Sequence, residues 1–287
     1  MRQAEPTDLP AVSNRRDFVG ASEVAALFGL HPHLSLYTLW HTKLGRLEAD
    51  PQPETPLMAL GKALESHIAA AWMAKKGVAA RVVPGKVIHH PTVLKMACTP
   101  DYLLPDAVIE CKRTSWIAWR DMWGGQPPDH YLLQVQHQLA CTGLDRAWLI
   151  ALVGDEIKEF EIERRPNLIR VIEMQVAAFW SSDEPSPDSS QSTHRSVNKL
   201  YAHDDGSDIT IYDKDVEATC QRLAEVVAAR SALDQEAMKL RARLLQVIGG
   251  AAKVDCGPWR ISAKTVSPAA VSYQRDAYRR LLVRKKR

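Results

Sequence analysis

Apolar positions recur at helical spacing along some stretches of the chain and at strand spacing along others. After a polar leader, Ser22 to Gly29 (SEVAALFG) predicts a short helix with Ser22 as its N-cap and Gly29 as its stop. A second helix is expected to begin near Ser35 and to end at Gly45, followed by a proline-rich loop from Asp50 to Pro56. Leu57, Leu60, Leu64, Ile68, Ala71 and Trp72 then form the apolar stripe of a longer helix that runs to Gly77. From Val78 to Lys112 the segments are short and rich in β-branched residues, broken by Pro84, Gly85, Pro91, Pro100 and Pro105, which predicts a strand meander or hairpins. Helix returns over Asp129 to Cys141. Strands are expected over Ala147 to Val153 and Ile157 to Ile162, around a Gly154-Asp155 turn, and then a helix from about Asn167 to Trp180. This order describes an α/β fold, a central mixed sheet flanked by helices.

Between Ser181 and Ser196 (SSDEPSPDSSQSTHRS) the apolar period disappears and serine and proline dominate. This reads as a linker, drawn over 181–198, between a first domain, 1–180, and a C-terminal region, 199–287. In that region Val216, Cys220, Leu223, Val226, Ala229, Leu233, Ala237, Leu240, Leu244 and Val247 predict one long helix. Its apolar seam becomes heptad-like from Leu233 onward. Gly249-Gly250 ends the helix, and a small hairpin is expected around Trp259 to Val266. The seam is open to three uses: self-association, folding back on the first domain, or docking a partner.

Composition narrows the class. The chain has 287 residues, of which 46% are apolar and 25% charged, which is globular and excludes a disordered or fibrous protein. No apolar run approaches a membrane span, and the N-terminus, with Arg2, Glu5 and Asp8, lacks the core of a signal peptide. A soluble, cytoplasmic protein with no membrane partner is the expectation. Five cysteines (Cys98, Cys111, Cys141, Cys220, Cys256), odd in number and without a Cys-x-x-Cys pair, indicate neither a disulfide framework nor a zinc site. The net charge of +3 is small, but seven basic residues crowd Arg275 to Arg287 against Asp276 alone, giving that tail +6 and the remainder −3. Such an end can neutralise phosphates, or be only a solvated terminus.

The chemistry lies in Thr99-Pro100-Asp101, with Glu110-Cys111-Lys112 beginning nine residues after the Asp. In a strand Glu110 and Lys112 share a face, while Ile109 and Cys111 point into the apolar layer. A hairpin would bring Asp101 beside Glu110. Two adjacent carboxylates repel unless a hard divalent cation compensates them. A neighbouring lysine can orient a water and offset charge on an attacked phosphate. Glu65 lies about 80° around from Leu57 at ~100° per residue, on the border of the apolar stripe beside Trp72, where it can add a third carboxylate.

Several stretches of the chain, RRDFVGASEVAALFG, SLYTLWHTKLGR, GKALE, CTPDYL, VIECK and HYLLQVQHQLACTGLDRAWLIAL, together resemble the lambda-exonuclease-like, or YqaJ-type, viral recombinase nucleases of the PD-(D/E)XK superfamily. The resemblance runs from about Arg15 to Trp180. It implies a restriction-endonuclease-like core in which Glu65, Asp101 and Glu110 are metal-site carboxylates, Lys112 is the catalytic lysine and Gln134 supports the site. It also implies Mg²⁺ as cofactor, with Mn²⁺ able to substitute and two ions per site: one held by Asp101 and Glu110, the second shared with Glu65. Arg15 and Ser22, matching an RxxxxxxS segment, are implied to hold a terminal 5′-phosphate, with Arg16 adjacent as the alternative arginine. Ser22 at a helix N-terminus would suit an anion. Thr99 stands where the family often has serine and joins the same group. The activity implied by the resemblance is that of a 5′-to-3′ exonuclease acting on duplex DNA ends and leaving 3′ single-stranded tails for recombination. Its partners would be a single-strand annealing protein and further copies of the chain, in a trimeric ring.

Two other readings remain open on the residues: a related endonuclease with the same metal site, and a non-catalytic DNA-binding scaffold built on the tail and long helix. Trp116, Trp119 and Trp123 can stack on bases at a melted end or can pack together, since their spacing puts all three on one helical face. The histidines, including His89, His90 and His137, show no metal-ligand pattern.

Overall fold

A computed structural model describes residues 15–48, 56–79, 81–82 and 86–266, so the basic tail from Arg275 to Arg287 lies outside the described residues. The chain divides into two compact units, with the boundary after Leu200.

The first unit opens with a 3-10 turn (Arg15–Asp17), strand β1 (Val19–Gly20) and a 3-10 helix (Val24–Phe28), followed by helices α1 (Leu36–Lys43) and α2 (Pro56–Lys76). Strands β2 (Arg81–Val82), β3 (Ile88–His89), β4 (Met96–Cys98), β5 (Tyr102–Leu103) and β6 (Ala107–Thr114) come next. A short helix α3 (Trp116–Ala118) continues into a π-type turn (Trp119–Trp123), and α4 (Asp129–Thr142), β7 (Arg146–Val153), β8 (Glu156–Glu163), α5 (Pro166–Ser181) and α6 (Gln191–Leu200) complete it.

The central sheet is mixed, in the order β2-β5-β6-β7-β8, and only the β6–β7 pair is parallel. The link from β6 to β7 runs through α4, the crossover that parallel neighbours require. β7 is covered on both faces and reads as a nearly continuous apolar run, RAWLIALV. On β6 the residues alternate between two cores. Ile109 and Cys111 pack with Ile68, Ala69 and Trp72 of α2, whereas Val108 joins the larger core with Leu133, Val135 and Leu139 of α4 and Ile169, Ile172 and Val176 of α5. Two-sided burial of β6 leaves Glu110 only 3% exposed.

Three features differ from the sequence reading. The meander divides between two sheets: β3 and β4 leave the central sheet to join β1 in a second one, ordered β1-β4-β3. These strands are two or three residues long, too short to carry an alternating pattern. Ser22 is not a helix N-cap. It precedes a five-residue 3-10 helix whose cap position is Glu23, while Gly29 does end that helix in the left-handed region at φ 66°. Such a short turn has little macrodipole, which removes that argument for an anion at Ser22. The stretch expected to be a linker carries no helix or strand over 182–190, but its second part opens α6, with Thr193 and Ser196 buried. Its hydroxyls meet α1: Thr38 Oγ1 lies 2.8 Å from both Ser192 Oγ and Ser196 Oγ, and Thr193 donates to Ser35 Oγ at 2.8 Å. The first unit thus extends to Leu200 rather than ending at 180. Ser35 also caps α1 as expected, accepting from Thr38 N at 3.1 Å.

The second unit holds α7 (Lys214–Ile248) and an antiparallel hairpin of β9 (Lys253–Cys256) and β10 (Trp259–Ser262). The hairpin therefore starts six residues before the expected Trp259. Asp213 caps α7, accepting from Asp215 N at 2.7 Å and Val216 N at 3.2 Å, and no residue of α7 is buried. Among the described residues no helix is long and apolar enough to cross a membrane, and all five cysteines are free.

Candidate active site

The site forms where β5 and β6 pair. Tyr102 stands opposite Ile109 and Leu103 opposite Val108, a register that brings Asp101 level with Glu110 at the open end of the ladder. Asp101 Oδ2 accepts from Cys111 N at 2.8 Å, locking the carboxylate against β6. Lys112, two residues beyond Glu110 on the same face, donates to Glu110 Oε1 at 2.5 Å.

From α4, Gln134 donates to Glu110 Oε1 at 2.5 Å and Gln138 to Glu110 Oε2 at 2.6 Å. The Lys112 ammonium also lies 5.0 Å from the centre of the Tyr131 ring. Glu65 approaches from α2, close enough for its charge to act on Asp101, Tyr102 and Cys111. Of the expected residues, Asp101, Glu110, Lys112 and Gln134 are therefore brought together, and Glu65 acts on the same place through its charge. Gln138 and Tyr131 were missed. The four-residue spacing of Gln134 and Gln138 was the available signal, since it puts both on one helical face. Gln136, between them, faces elsewhere, donating to the Glu163 carbonyl at 2.8 Å and accepting from Arg165 N at 2.8 Å.

Burial and like charge act together on the acids. Burial, then the Glu110 charge, raises the Asp101 carboxyl from the ordinary carboxylate range to about 8, against the bond from Cys111 N and the Lys112 charge. Burial likewise pushes the Cys111 thiol up, which keeps it an inert apolar group. For Lys112, burial alone would favour the neutral amine, but Glu110, its hydrogen bond and Asp101 outweigh that and raise it, so the ammonium persists.

The crowding of acids that raises Asp101 is what a bound cation would relieve, and all the acidic donors are oxygens, the ligand type of hard divalent cations. Among the described residues, no three His, Cys, Asp or Glu side chains form a ready metal-holding group, and the oxygens of Glu110 accept from Lys112, Gln134 and Gln138. The donor chemistry fits a hard divalent cation, with Asp101, Glu110 and Glu65 as the residues that would hold it.

A second cluster lies at the β1–β4 end. Arg15 Nη2 donates to Ser22 Oγ at 3.4 Å, and both residues are exposed. Arg16 is directed to Gly45 instead, where an added Cβ would lie 3.8 Å from its Nη1, which distinguishes the two arginines. β1 and β4 are parallel, with Gly20 opposite Ala97, so the chain leaves both strands at the same end, toward Ser22 on one and exposed Thr99 on the other. Beneath Arg15, Lys43 Nζ donates to the Arg15 carbonyl at 2.6 Å and to Glu23 Oε2 at 2.7 Å. Sequence patterning gave no sign of this pair, in which Lys43 is buried and Glu23 partly exposed.

Of the three tryptophans, Trp119 and Trp123 stack at 5.0 Å between ring centres, with Phe160 and Tyr131 beside them, as packing requires. Trp116 is half exposed and lies against Gly154, where an added Cβ would stand 2.2 Å from its Nε1.

Residues 12–145 match the YqaJ-like viral recombinase domain. The protein YqaJ of Bacillus subtilis (strain 168) is 26% identical over 198 residues, 66% of this chain and 61% of YqaJ's own length. Among solved structures, LHK-Exo in complex with dAMP superposes with a TM-score of 0.50 at 26% identity, covering 59% of this chain and 89% of LHK-Exo. A second structure of that protein, described as an alkaline exonuclease from Laribacter hongkongensis, has a TM-score of 0.49 at 27% identity and covers 58% and 88% of the two chains. The acids, the lysine, both glutamines and the Arg15–Ser22 pair all fall within residues 12–145, the stretch that is similar to the YqaJ-like viral recombinase domain.

Proposed function

We propose that the protein is a Mg²⁺-dependent exonuclease that digests linear double-stranded DNA from its 5′ ends, leaving 3′ single-stranded tails for recombination. The observation that carries this is the convergence of Asp101, Glu110 and Lys112 on one sheet edge, braced by Gln134, in a domain similar to that of an alkaline exonuclease.

A divalent cation bound by these carboxylates supplies polarisation of the phosphodiester and a more acidic water. The chain's own residues do the rest. Glu110 accepts from three donors on its two oxygens, and it holds Lys112 in place. Lys112, kept protonated, sits where it can orient the attacking water and offset charge developing on the phosphate. Asp101 is pinned by Cys111 N through Oδ2. The Arg15–Ser22 pair with Thr99 supplies a guanidinium and hydroxyls suited to a terminal phosphate, which would set the polarity of digestion. DNA ends are then the substrate, with a single-strand annealing protein and further copies of the chain as partners.

Digestion of linear duplex in Mg²⁺ tests the proposal. Faster loss of 5′-phosphorylated than 5′-hydroxyl ends, with closed circles spared, supports it. Cutting of circles would move the assignment to an endonuclease, and binding without hydrolysis in Mg²⁺ or Mn²⁺ to a scaffold.

A further inference from the structure

The two glutamines on α4 treat the two oxygens of Glu110 differently. Oε1 accepts from both Lys112, at 2.5 Å, and Gln134, at 2.5 Å. Two donors occupy both lone pairs of that oxygen. Among the described residues, Oε2 accepts from Gln138 alone, at 2.6 Å. One acceptor direction of Oε2 is thus uncommitted, and its aim is set by Gln138.

Gln138 is fully buried, and its own Oε1 has no hydrogen-bond partner. The amide cannot relieve this by turning over, because that would place its carbonyl against the Glu110 carboxylate. Burying an unpaired carbonyl costs about 1–3 kcal/mol, and an apolar side chain of similar length would avoid it. A residue held at such a position against the interest of stability points to a role in the site rather than in the fold.

We infer that Gln138 is the positioning residue that orients Glu110 Oε2 as the oxygen offered to a divalent cation, while Gln134 and Lys112 hold Oε1. This rests on the metal-dependent nuclease reading and deepens it. Partners that orient a metal ligand from outside its first contacts typically change metal affinity by about 10–100-fold when removed.

The experiment compares Gln138→Met and Gln134→Met with the unaltered full-length protein. Binding of Mn²⁺ to each is titrated by electron paramagnetic resonance, with no DNA present, and thermal unfolding is followed in the metal-free state. The expected result is a Mn²⁺ dissociation constant raised at least tenfold by Gln138→Met, a smaller effect of Gln134→Met, and metal-free unfolding of Gln138→Met within a few degrees of the unaltered protein. Unchanged Mn²⁺ affinity in Gln138→Met, or an equal loss in both variants, would overturn the assignment, as would weaker binding accompanied by a collapse of metal-free stability. Mn²⁺ binding and hydrolysis by the unaltered protein with an unaffected Gln138→Met sinks only this inference. An unaltered protein that neither binds Mn²⁺ nor cleaves DNA sinks the nuclease reading as well.

Discussion

At the scale of single residues, function rests on how few charges share a small space. Among the described residues Lys112 is the cation facing Asp101 and Glu110, and its side chain retains 20% exposure. Lys112→Ala is expected to slow hydrolysis by about 10²–10⁴-fold, the range for loss of one acid–base or charge-stabilising group, with DNA binding retained in a filter assay. Arg15→Ala should leave hydrolysis of 5′-hydroxyl ends nearly unchanged and remove the preference for phosphorylated ends. Persistence of that preference would exclude Arg15 as the phosphate contact. Away from the site, His137 donates from Nε2 to the Ala97 carbonyl at 2.9 Å. Burial pushes its imidazole down to about 4, and His90 adds to this while the Ala97 bond opposes it. The folded state therefore takes up this proton later than the unfolded chain, whose histidine titrates near 6.5. Its contribution is fully present above about 6.5 and is lost as pH falls toward 4, by about 3 kcal/mol in all. His137→Gln should flatten the urea-unfolding stability between those values. An unaltered slope would mean that His137 is not held neutral. The residues proposed for catalysis were legible because their spacing is local: i and i+2 on one strand, and nine positions across a hairpin. Gln138 was not, because a glutamine in a helix is ordinary until its partner is known.

At the scale of elements, the long periodic segments were readable and the polar or very short ones were not. α2, α4, α5, α7, β7 and β8 fall where apolar spacing put them, within a few residues. α6 did not, because hydroxyl contacts to α1, rather than an apolar face, hold it in place. Thr38→Val removes the oxygen that meets Ser35, Ser192 and Ser196 together. It should cost about 1–3 kcal/mol in denaturant unfolding, as stranded buried hydroxyls do, and a neutral result would show that α6 is held by something else. The 3-10 turn before Gly29 was misread for a similar reason. Glu23, at the position just before its first residue, turns its side chain back to Gly20 N at 2.8 Å and to Lys43, an arrangement that no local pattern announces.

At the scale of the whole molecule, the two units pose different questions. The first carries the site. The second presents a 35-residue helix with no buried residue, along which Val216, Leu223, Val226, Leu233, Leu240, Leu244 and Val247 are all exposed. An apolar stripe of that length is stable in water when another surface covers it. With the expectation of a homo-oligomer, light scattering at micromolar concentration should return a multiple of the 32.0 kDa chain mass, and the mass of one chain would count against assembly. The proposed activity is hydrolysis at DNA ends, and that claim is the one to test first. Linear duplex DNA carrying 5′-phosphate or 5′-hydroxyl ends, together with closed circles, is incubated with the protein in Mg²⁺, with Lys112→Ala in parallel. The account predicts progressive loss of the phosphorylated linear duplex, slower loss of the hydroxyl form, intact circles, and digestion by the variant slowed by at least about 10²-fold. Digestion at an undiminished rate in Lys112→Ala, or none by the unaltered protein, would contradict it.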